Sequence, residues 1–323
     1  MANQLVSIVA PVYNEETVIA ELVQRSCDTM KPLAGYDYEI VLVDDGSQDN
    51  SLAVMKELTA QYEKLRVVEL RGNFGQTPAL QAGLDAAQGE IVITLDADLQ
   101  HFPEEIPNFL AKLDEGYDMV CGWRHKRAEG AIRRWPSAIA NKLLKRIARV
   151  DIHDFGTTFR AYDARIIPDL RLYGEFHRFI PVLGKMAGAR IAEIPIKNIE
   201  RPAGVNNYGI GRTFGVFLDL FILYFFVRYM DRPMRAFGKL AAFCFAIGSA
   251  NITYMVIAAA VRDFPMFKEH PGWFIFSAML LMAAGQLILA GILAEILVRV
   301  HYEHGDRRVY KVRNTWQAND QSS

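Results

Sequence analysis

Glu90-Ile91-Val92-Ile93-Thr94-Leu95-Asp96-Ala97-Asp98-Leu99-Gln100 is an apolar run of strand length that ends abruptly on two acids one residue apart. Four other β-rich runs, Leu5 to Ala10, Glu39 to Val43, Arg66 to Leu70 and Asp118 to Cys121, flank it, with segments long enough for a helix in between. That alternation is the βαβ rhythm of a mainly parallel sheet, so the sequence predicts an α/β fold. In such sheets ligands bind beyond the carboxyl ends of the strands. The residues just past each run should therefore carry the chemistry. They are Pro11-Val12-Tyr13-Asn14-Glu15-Glu16 after the first, Asp44-Asp45-Gly46-Ser47 after the second, and Asp96-Ala97-Asp98 after the fourth.

An Asp-x-Asp at a strand end places two carboxylates where a hard divalent cation can be held together with a diphosphate. Mg²⁺ and Mn²⁺ prefer oxygen ligands and keep positions open for substrate. Gln100 adds a neutral oxygen nearby. Taken alone, the same pattern also describes a solvated turn.

The last third of the chain has a different character. Leu240 to Val261 and Trp273 to Ala294 contain no charged residue until the second run has ended. A run of roughly 22 residues at about 1.5 Å per residue crosses a hydrocarbon core of about 30 Å. Two buried helices of a soluble core are the alternative, but soluble helices of this length carry a polar face and these show none. The link from Arg262 to Gly272 is short and holds Pro265 and Pro271, which predicts an antiparallel hairpin. Arg228, Arg232, Arg235 and Lys239 precede the hairpin and Arg299, Arg307, Arg308, Lys311 and Arg313 follow it, against Arg262 and Lys268 in the link. The positive-inside bias then puts the large N-terminal part in the cytoplasm, and the location expected is an inner (plasma) membrane. Thr213 to Met230, rich in Phe, Leu and Tyr but broken by Asp219 and Arg228, reads as an interfacial helix or else as a core helix of the soluble part. The organisation expected is a catalytic domain over 1–212, an interfacial helix over 213–235, a membrane hairpin over 236–300 and a cytoplasmic tail over 301–323. Small and polar hairpin residues, Gly248, Ser249, Asn251, Gly285 and Gln286, offer a face for another subunit and hence for a homo-oligomer.

Composition excludes several classes. A net charge of -1 gives no global field to gather nucleic acid. Cys27, Cys121 and Cys244 are far apart and lack zinc spacing, so they read as reduced structural thiols. Leu5 to Ala10 is too short for the apolar core of a signal peptide and runs into Pro11.

The combination of motifs is more specific than any one of them. Pro11 to Glu16, Val43 to Ser47, Asn73-Phe74-Gly75-Gln76, Leu95 to Gln100 and Asp154-Phe155-Gly156-Thr157-Thr158-Phe159-Arg160 stand in the order seen in family 2 glycosyltransferases. More narrowly, the chain resembles the polyprenyl-phosphate glycosyltransferases, the group of dolichol-phosphate mannose synthases, GtrB-type glucosyltransferases and the undecaprenyl-phosphate aminoarabinose transferase. The resemblance implies a GT-A fold and inverting transfer of a sugar from a UDP- or GDP-sugar to a polyprenyl phosphate. It implies that Pro11, Tyr13, Glu15 and Gln76 line the nucleotide-sugar pocket, and that Asp44 or Asp45 accepts hydrogen bonds from the base or ribose. Asp96, Asp98 and Gln100 match the metal and diphosphate positions, with Asp98 also counted as catalytic. Asp154 matches the candidate catalytic carboxylate, as base or orienter. Arg124, Arg134 and Ser137 match the acceptor-phosphate site, joined by Arg201 and Arg212. A phosphate monoester has a second pKa near 6, so the acceptor is already an oxyanion at neutral pH and needs positioning more than deprotonation. Where relatives carry Arg-x-x-Gly-x-Ser-Lys-Tyr this chain reads Arg201-Pro202-Ala203-Gly204-Val205-Asn206-Asn207-Tyr208, so either Arg201 or Arg212 supplies the missing cation or the acceptor or donor differs from that of the relatives. Two other classes stay open on the sequence: a non-catalytic membrane scaffold that binds nucleotide-sugar, and a transferase acting on a lipid or glycan hydroxyl.

Overall fold

A computed structural model of the chain describes residues 3–124, 152–170, 172, 176–197, 224–225, 229, 233–262, 269–303 and 312–316. It divides into one unit formed by Met1–Leu220 with Arg308–Ser323, and a second formed by Phe221–Arg307.

The first unit is built on strands β1 (Gln4–Val12), β2 (Tyr36–Asp44), β3 (Leu65–Leu70), β4 (Ile91–Thr94), β5 (Met119–Arg124), β6 (Arg160–Asp163), β7 (Ile191–Ile196) and β8 (Val312–Trp316). They form one sheet in the order β7-β5-β6-β4-β1-β2-β3-β8. The pairs β1 with β2, β1 with β4, β2 with β3, and β5 with β7 are parallel. The central strands are buried along almost their whole length, as expected of a sheet covered on both faces, and this is why they read as continuous apolar runs. Among the covering helices are α1 (Ile19–Met30), α2 (Ser51–Gln61), α3 (Gln76–Ala86), α4 (Ile106–Asp114) and the short α5 (Ile180–Met186). Helix α1 buries Ile19, Leu22, Val23, Cys27 and Met30, the spacing of one helical face.

Two features of the sheet go beyond the sequence reading. Strand β6 runs antiparallel between β4 and β5, with Arg160 opposite Thr94 on one side and Cys121 on the other. The segment expected to be a plain tail returns to the sheet: Val312–Trp316 pairs antiparallel with β3 and covers its edge. Lys56 Nζ lies 4.2 Å from the centroid of the Trp316 ring, so the added strand is pinned from the helix layer as well.

At the sheet end opposite the strand carboxyl termini, a buried polar clip fixes the register. Ser7 donates to Glu39 Oε1 at 2.6 Å, Gln88 N–H donates to the same oxygen at 2.6 Å, and Gly89 N–H donates to Ser7 Oγ at 2.7 Å. Arg66 pairs with Glu39 at 3.2 Å and donates to the Ala86 carbonyl at 2.7 Å. A buried carboxylate is tolerated here because its acceptor capacity is met.

The second unit contains helices α6 (Met234–Arg262) and α7 (Pro271–Glu303), each long and apolar enough to cross a membrane. Phe243, Phe245, Leu289 and Leu297 are all at least 60% exposed. Large apolar side chains turned outward in such number contradict the soluble-core alternative and fit a helix pair whose solvent is lipid. Gly248 and Asn251, read from sequence as material for another subunit, instead face α7 of the same hairpin. A Cβ at Gly248 would lie 3.1 Å from the Ser277 carbonyl and the Leu281 side chain. Asn251 Nδ2 donates to Ser277 Oγ at 2.6 Å and to the Trp273 carbonyl at 3.2 Å. Most of the segment 213–235, expected to be an interfacial helix, and most of the hairpin link lie outside the described residues, and Met234 and Arg235 at the end of that segment already belong to α6.

Gly89 should tolerate no side chain. A Cβ there would sit 2.7 Å from the Leu5 carbonyl and the Ser7 amide, both backbone atoms that cannot yield cheaply. Gly89→Ala is expected to destabilise the first unit by about 1–3 kcal/mol, the usual cost of overpacking, read as a lower midpoint in thermal or urea unfolding.

Candidate active site

The carboxyl ends of β1, β2 and β4 open on a cleft of about 430 Å³. Of the residues expected at the site, Pro11, Tyr13, Glu15, Asp45, Gln76, Asp96 and Asp98 all line it. Val12, Asn73, Gly75, Ala79 and Ala97 complete the wall.

The loops are held by their own short side chains. Asn14 N–H donates to Ser47 Oγ at 3.1 Å while Asn14 Oδ1 accepts from Gln48 N–H at 2.7 Å. Glu15 N–H donates to Ser51 Oγ at 2.9 Å. Asn14 itself is at φ 57°, a left-handed conformation that Asn adopts more readily than most residues. Gly46 at φ 70° lies so near the next loop that a Cβ would come within 2.6 Å of Asn73 N. That approach lets Asp45 take the amides of Phe74 (2.7 Å) and Gly75 (2.9 Å) on its two oxygens. Burial raises the Asp45 carboxyl above the usual range, against the pull of those two amides. Asp44 is 2% exposed, accepts from Ser47 N–H at 3.2 Å and is not part of the cleft wall. Of the two acids offered for the base or ribose, only Asp45 therefore reaches the cleft, and it is already shaping the loop.

Gln76 Nε2 donates to Asp96 Oδ1 at 2.9 Å. Burial pushes the Asp96 carboxyl up, opposed by Thr158 and by the charges of Arg124 and Arg160. Asp98 Oδ1 accepts from Gln100 N–H at 3.1 Å, in a turn that places Leu99 at φ 55°. A branched apolar residue in the left-handed region stores strain of about 1 kcal/mol, and such strain clusters at functional sites. Among the described residues no group of three or more His, Cys, Asp or Glu is arranged to hold a metal alone. The two acids suit a cation that completes its shell with diphosphate and water. Gln100 is half-buried beside them and is not part of the cleft wall.

Arg124 and Asp154, assigned to different tasks in the sequence, are joined. Arg124 Nε donates to Asp154 Oδ2 at 2.7 Å and Nη2 to Oδ1 at 3.0 Å, a fork geometry, with Asp154 2% exposed. Gly156 N–H adds a further donor to Asp154 Oδ1 at 3.1 Å. Arg134, Ser137, Arg201, Arg212 and the Asn206-Asn207 pair lie outside the described residues. Glu193 and Arg160 are charged residues packed beside Asp154 that the sequence reading did not single out. Arg160 was visible only as the close of a motif, and Glu193 carried no signal at all.

Residues 7–171 match the family model described as glycosyl transferase family 2. Over nearly its whole length the chain is similar to the dodecaprenyl-phosphate galacturonate synthase of Rhizobium johnstonii, 38% identical over 326 residues, covering 98% of this chain and 94% of that one. It is also similar to the undecaprenyl-phosphate 4-deoxy-4-formamido-L-arabinose transferase of Edwardsiella ictaluri, 34% identical over 321 residues, covering 98% and 95%. Among solved structures it shares a fold with glucosyl-3-phosphoglycerate synthase from Mycobacterium tuberculosis in complex with Mn²⁺, UDP-glucose and phosphoglyceric acid. The TM-score is 0.52 at 19% identity, covering 69% of this chain and 79% of that one.

His177 is 6% exposed, with Nδ1 2.7 Å from Thr77 Oγ1 at the start of α3. Burial, with help from Arg178 and Arg160, lowers its pKa from 6.5 to about 3. Between those values the unfolded chain binds a proton that the folded chain does not, so stability falls as pH drops below 6.5. At pH 5 this amounts to about 2 kcal/mol relative to pH 8. Unfolding midpoints measured across that range should fall less steeply for His177→Gln than for the unmodified protein.

Proposed function

The chain belongs to glycosyl transferase family 2, and we propose that it transfers a sugar from a nucleotide-sugar to a polyprenyl phosphate with inversion at the anomeric carbon. One observation carries the reading. A cleft walled by Tyr13, Glu15, Asp96 and Asp98 sits at the carboxyl edge of an α/β sheet, in a chain that also holds an apolar helix pair. The two relatives described above, similar along nearly the whole chain, bear polyprenyl phosphates in their names. Their sugars, galacturonate and a formamido-arabinose, make donors of those classes the first to try.

In this reading the nucleotide lies in the cleft against the half-exposed Tyr13 ring, with Asp45 holding the Asn73–Gly75 loop in place. Asp96 and Asp98, with Gln100 close by, hold a divalent cation, Mg²⁺ or Mn²⁺. Bound there, the cation neutralises charge on the leaving diphosphate, worth several kcal/mol of barrier. The acceptor phosphate oxygen attacks the anomeric carbon as the bond from that carbon to the diphosphate oxygen breaks on the opposite face. No proton has to leave the acceptor, because a phosphate monoester is already an oxyanion at neutral pH. Arg124, with Arg134, Ser137, Arg201 and Arg212, receives the acceptor phosphate, which competes with Asp154 for the Arg124 fork. Asp154 orients rather than deprotonates. The residues organise as a catalytic domain over 1–212, an interfacial helix over 213–235 and a hairpin over 236–300, with the catalytic domain cytoplasmic at an inner membrane. The strand at Val312–Trp316 revises the remainder: the tail over 301–323 contributes to the catalytic sheet.

The test is a transfer assay with purified protein, undecaprenyl phosphate, Mg²⁺ or Mn²⁺ and a panel of UDP- and GDP-sugars led by the uronate and amino-pentose classes. Metal-dependent formation of a lipid-phosphate sugar is expected, reduced about 100-fold or more in Asp98→Ala. Absence of product from every donor, with nucleotide still bound, would overturn the reading.

The orienting role separates transfer to phosphate from transfer to a hydroxyl. Asp154→Asn should lower kcat yet leave measurable turnover, since the nucleophile is ionised without a base. Complete loss in a folded Asp154→Asn protein would mean that a proton must be removed, and that the acceptor is a hydroxyl.

A further inference from the structure

Asp154 sits in an irregular segment, Ile152 to Phe159, between the end of β5 and the start of β6. Two buried charges of opposite sign grip this segment from either side of the carboxylate. Glu193 lies on β7, opposite Cys121 of β5, and its side chain is only 8% exposed. Its Oε1 accepts the backbone N–H of Asp154 at 2.9 Å and that of His153 at 2.9 Å. Its Oε2 lies 3.0 Å from His153 N and 2.7 Å from His153 Nδ1. The His153 ring also stacks on Trp123, centroids 4.5 Å apart.

On the other side stands Arg160, 1% exposed. Its Nη2 donates to the Phe155 carbonyl at 3.0 Å and its Nη1 to the His177 carbonyl at 2.7 Å, while Nε has no partner among the described residues. The amides at and before Asp154 are thus held by an anion, and the carbonyl just after it by a cation.

Stability is a poor explanation for this arrangement. Burying a charge costs several kcal/mol, and apolar residues of the same volume usually serve a core as well or better. What charged acceptors and donors provide is direction. Glu193 faces the two backbone N–H groups and the His153 ring nitrogen, so a glutamine there would turn an NH₂ toward an N–H.

We infer that Glu193 and Arg160 are positioning residues for the transfer reaction, clamping the His153–Phe155 backbone so that the Asp154 carboxylate is aimed at Arg124, the arginine that receives the acceptor phosphate. The inference rests on the role given to Asp154 above.

The experiment uses the full-length purified chain with Glu193→Gln and Arg160→Lys, the second keeping the charge while reaching one carbonyl at a time. Three quantities are read: kcat with donor KM, the unfolding midpoint, and hydrogen exchange over the peptide containing residues 153 and 154. For Glu193→Gln, kcat should fall about tenfold or more with donor KM unchanged within about threefold, since misplacement of this kind costs turnover rather than binding. Exchange at 153 and 154 should quicken while the unfolding midpoint stays near that of the parent. Arg160→Lys should show the same pattern with a smaller loss. A folded Glu193→Gln protein with parental kcat, or with parental protection at those amides, overturns the inference. So does a loss of turnover matched by a rise in donor KM. If Glu193→Gln does not fold, Arg160→Lys is judged by the same readings. If the parent protein transfers no sugar, the transfer reading fails, while hydrogen exchange still decides whether the clamp exists.

Discussion

The antiparallel pairing of Thr94 with Arg160 is the constraint on which the site depends, because it brings the segment before β6 back to the edge where β4 ends. Parallel strands alone would carry the chain away from that edge through a crossover helix each time. Strand β6 does the reverse. It starts at the carboxyl edge of its parallel neighbours, so the irregular segment that precedes it lies beside Asp96. The Thr94 hydroxyl donates to the Thr158 carbonyl at 2.6 Å, tying that segment to β4 just before the two acids. Through this single reversal the segment that carries Asp154, 58 positions from Asp96 in the numbering, is tied to the strand that leads into Asp96.

Much of this was legible from residue order, and the reasons it was or was not are physical. The parallel strands announced themselves because a sheet covered on both faces needs uninterrupted apolar runs. The acids at their ends stood out against those runs. Strand β6 gave no such signal: Arg160-Ala161-Tyr162-Asp163 is short and mixed, and its fate is settled by the two edges it fills. Strand β8, Val312-Arg313-Asn314-Thr315-Trp316, is polar enough to read as a tail because it sits at the sheet margin. Asp45 and Asp44 show the finer limit. Adjacent acids look equivalent in a sequence, yet consecutive residues leave a strand on opposite sides, and only Asp45 comes to the cleft.

The hairpin makes a related point about polar residues in apolar runs. Gly248 and Asn251 invited a partner subunit, but their contacts are met inside the hairpin by Ser277, Leu281 and the Trp273 carbonyl. In lipid a polar side chain must find a partner, and the nearest neighbour helix is the cheapest source. Ser277 closes the arrangement by donating to the Trp273 carbonyl at 2.8 Å. Gly248 and Asn251 therefore mark a specific seam between α6 and α7.

The Arg124–Asp154 fork bears on what the carboxylate is for. A general base works best when its lone pairs are available near the proton it removes. Here both Asp154 oxygens accept from a guanidinium, one also accepts from Gly156 N–H, and the side chain is shut away from water. An arrangement of that kind fixes the carboxylate in one place. It suits an acceptor that arrives ionised, because the phosphate then needs an arginine set at the right angle and has no proton to surrender. The same fork keeps Arg124 in a defined position before the acceptor comes, which reduces the ordering cost on binding. The acid and the cation act as a unit, and the chemistry of the acceptor explains why an enzyme can place them so.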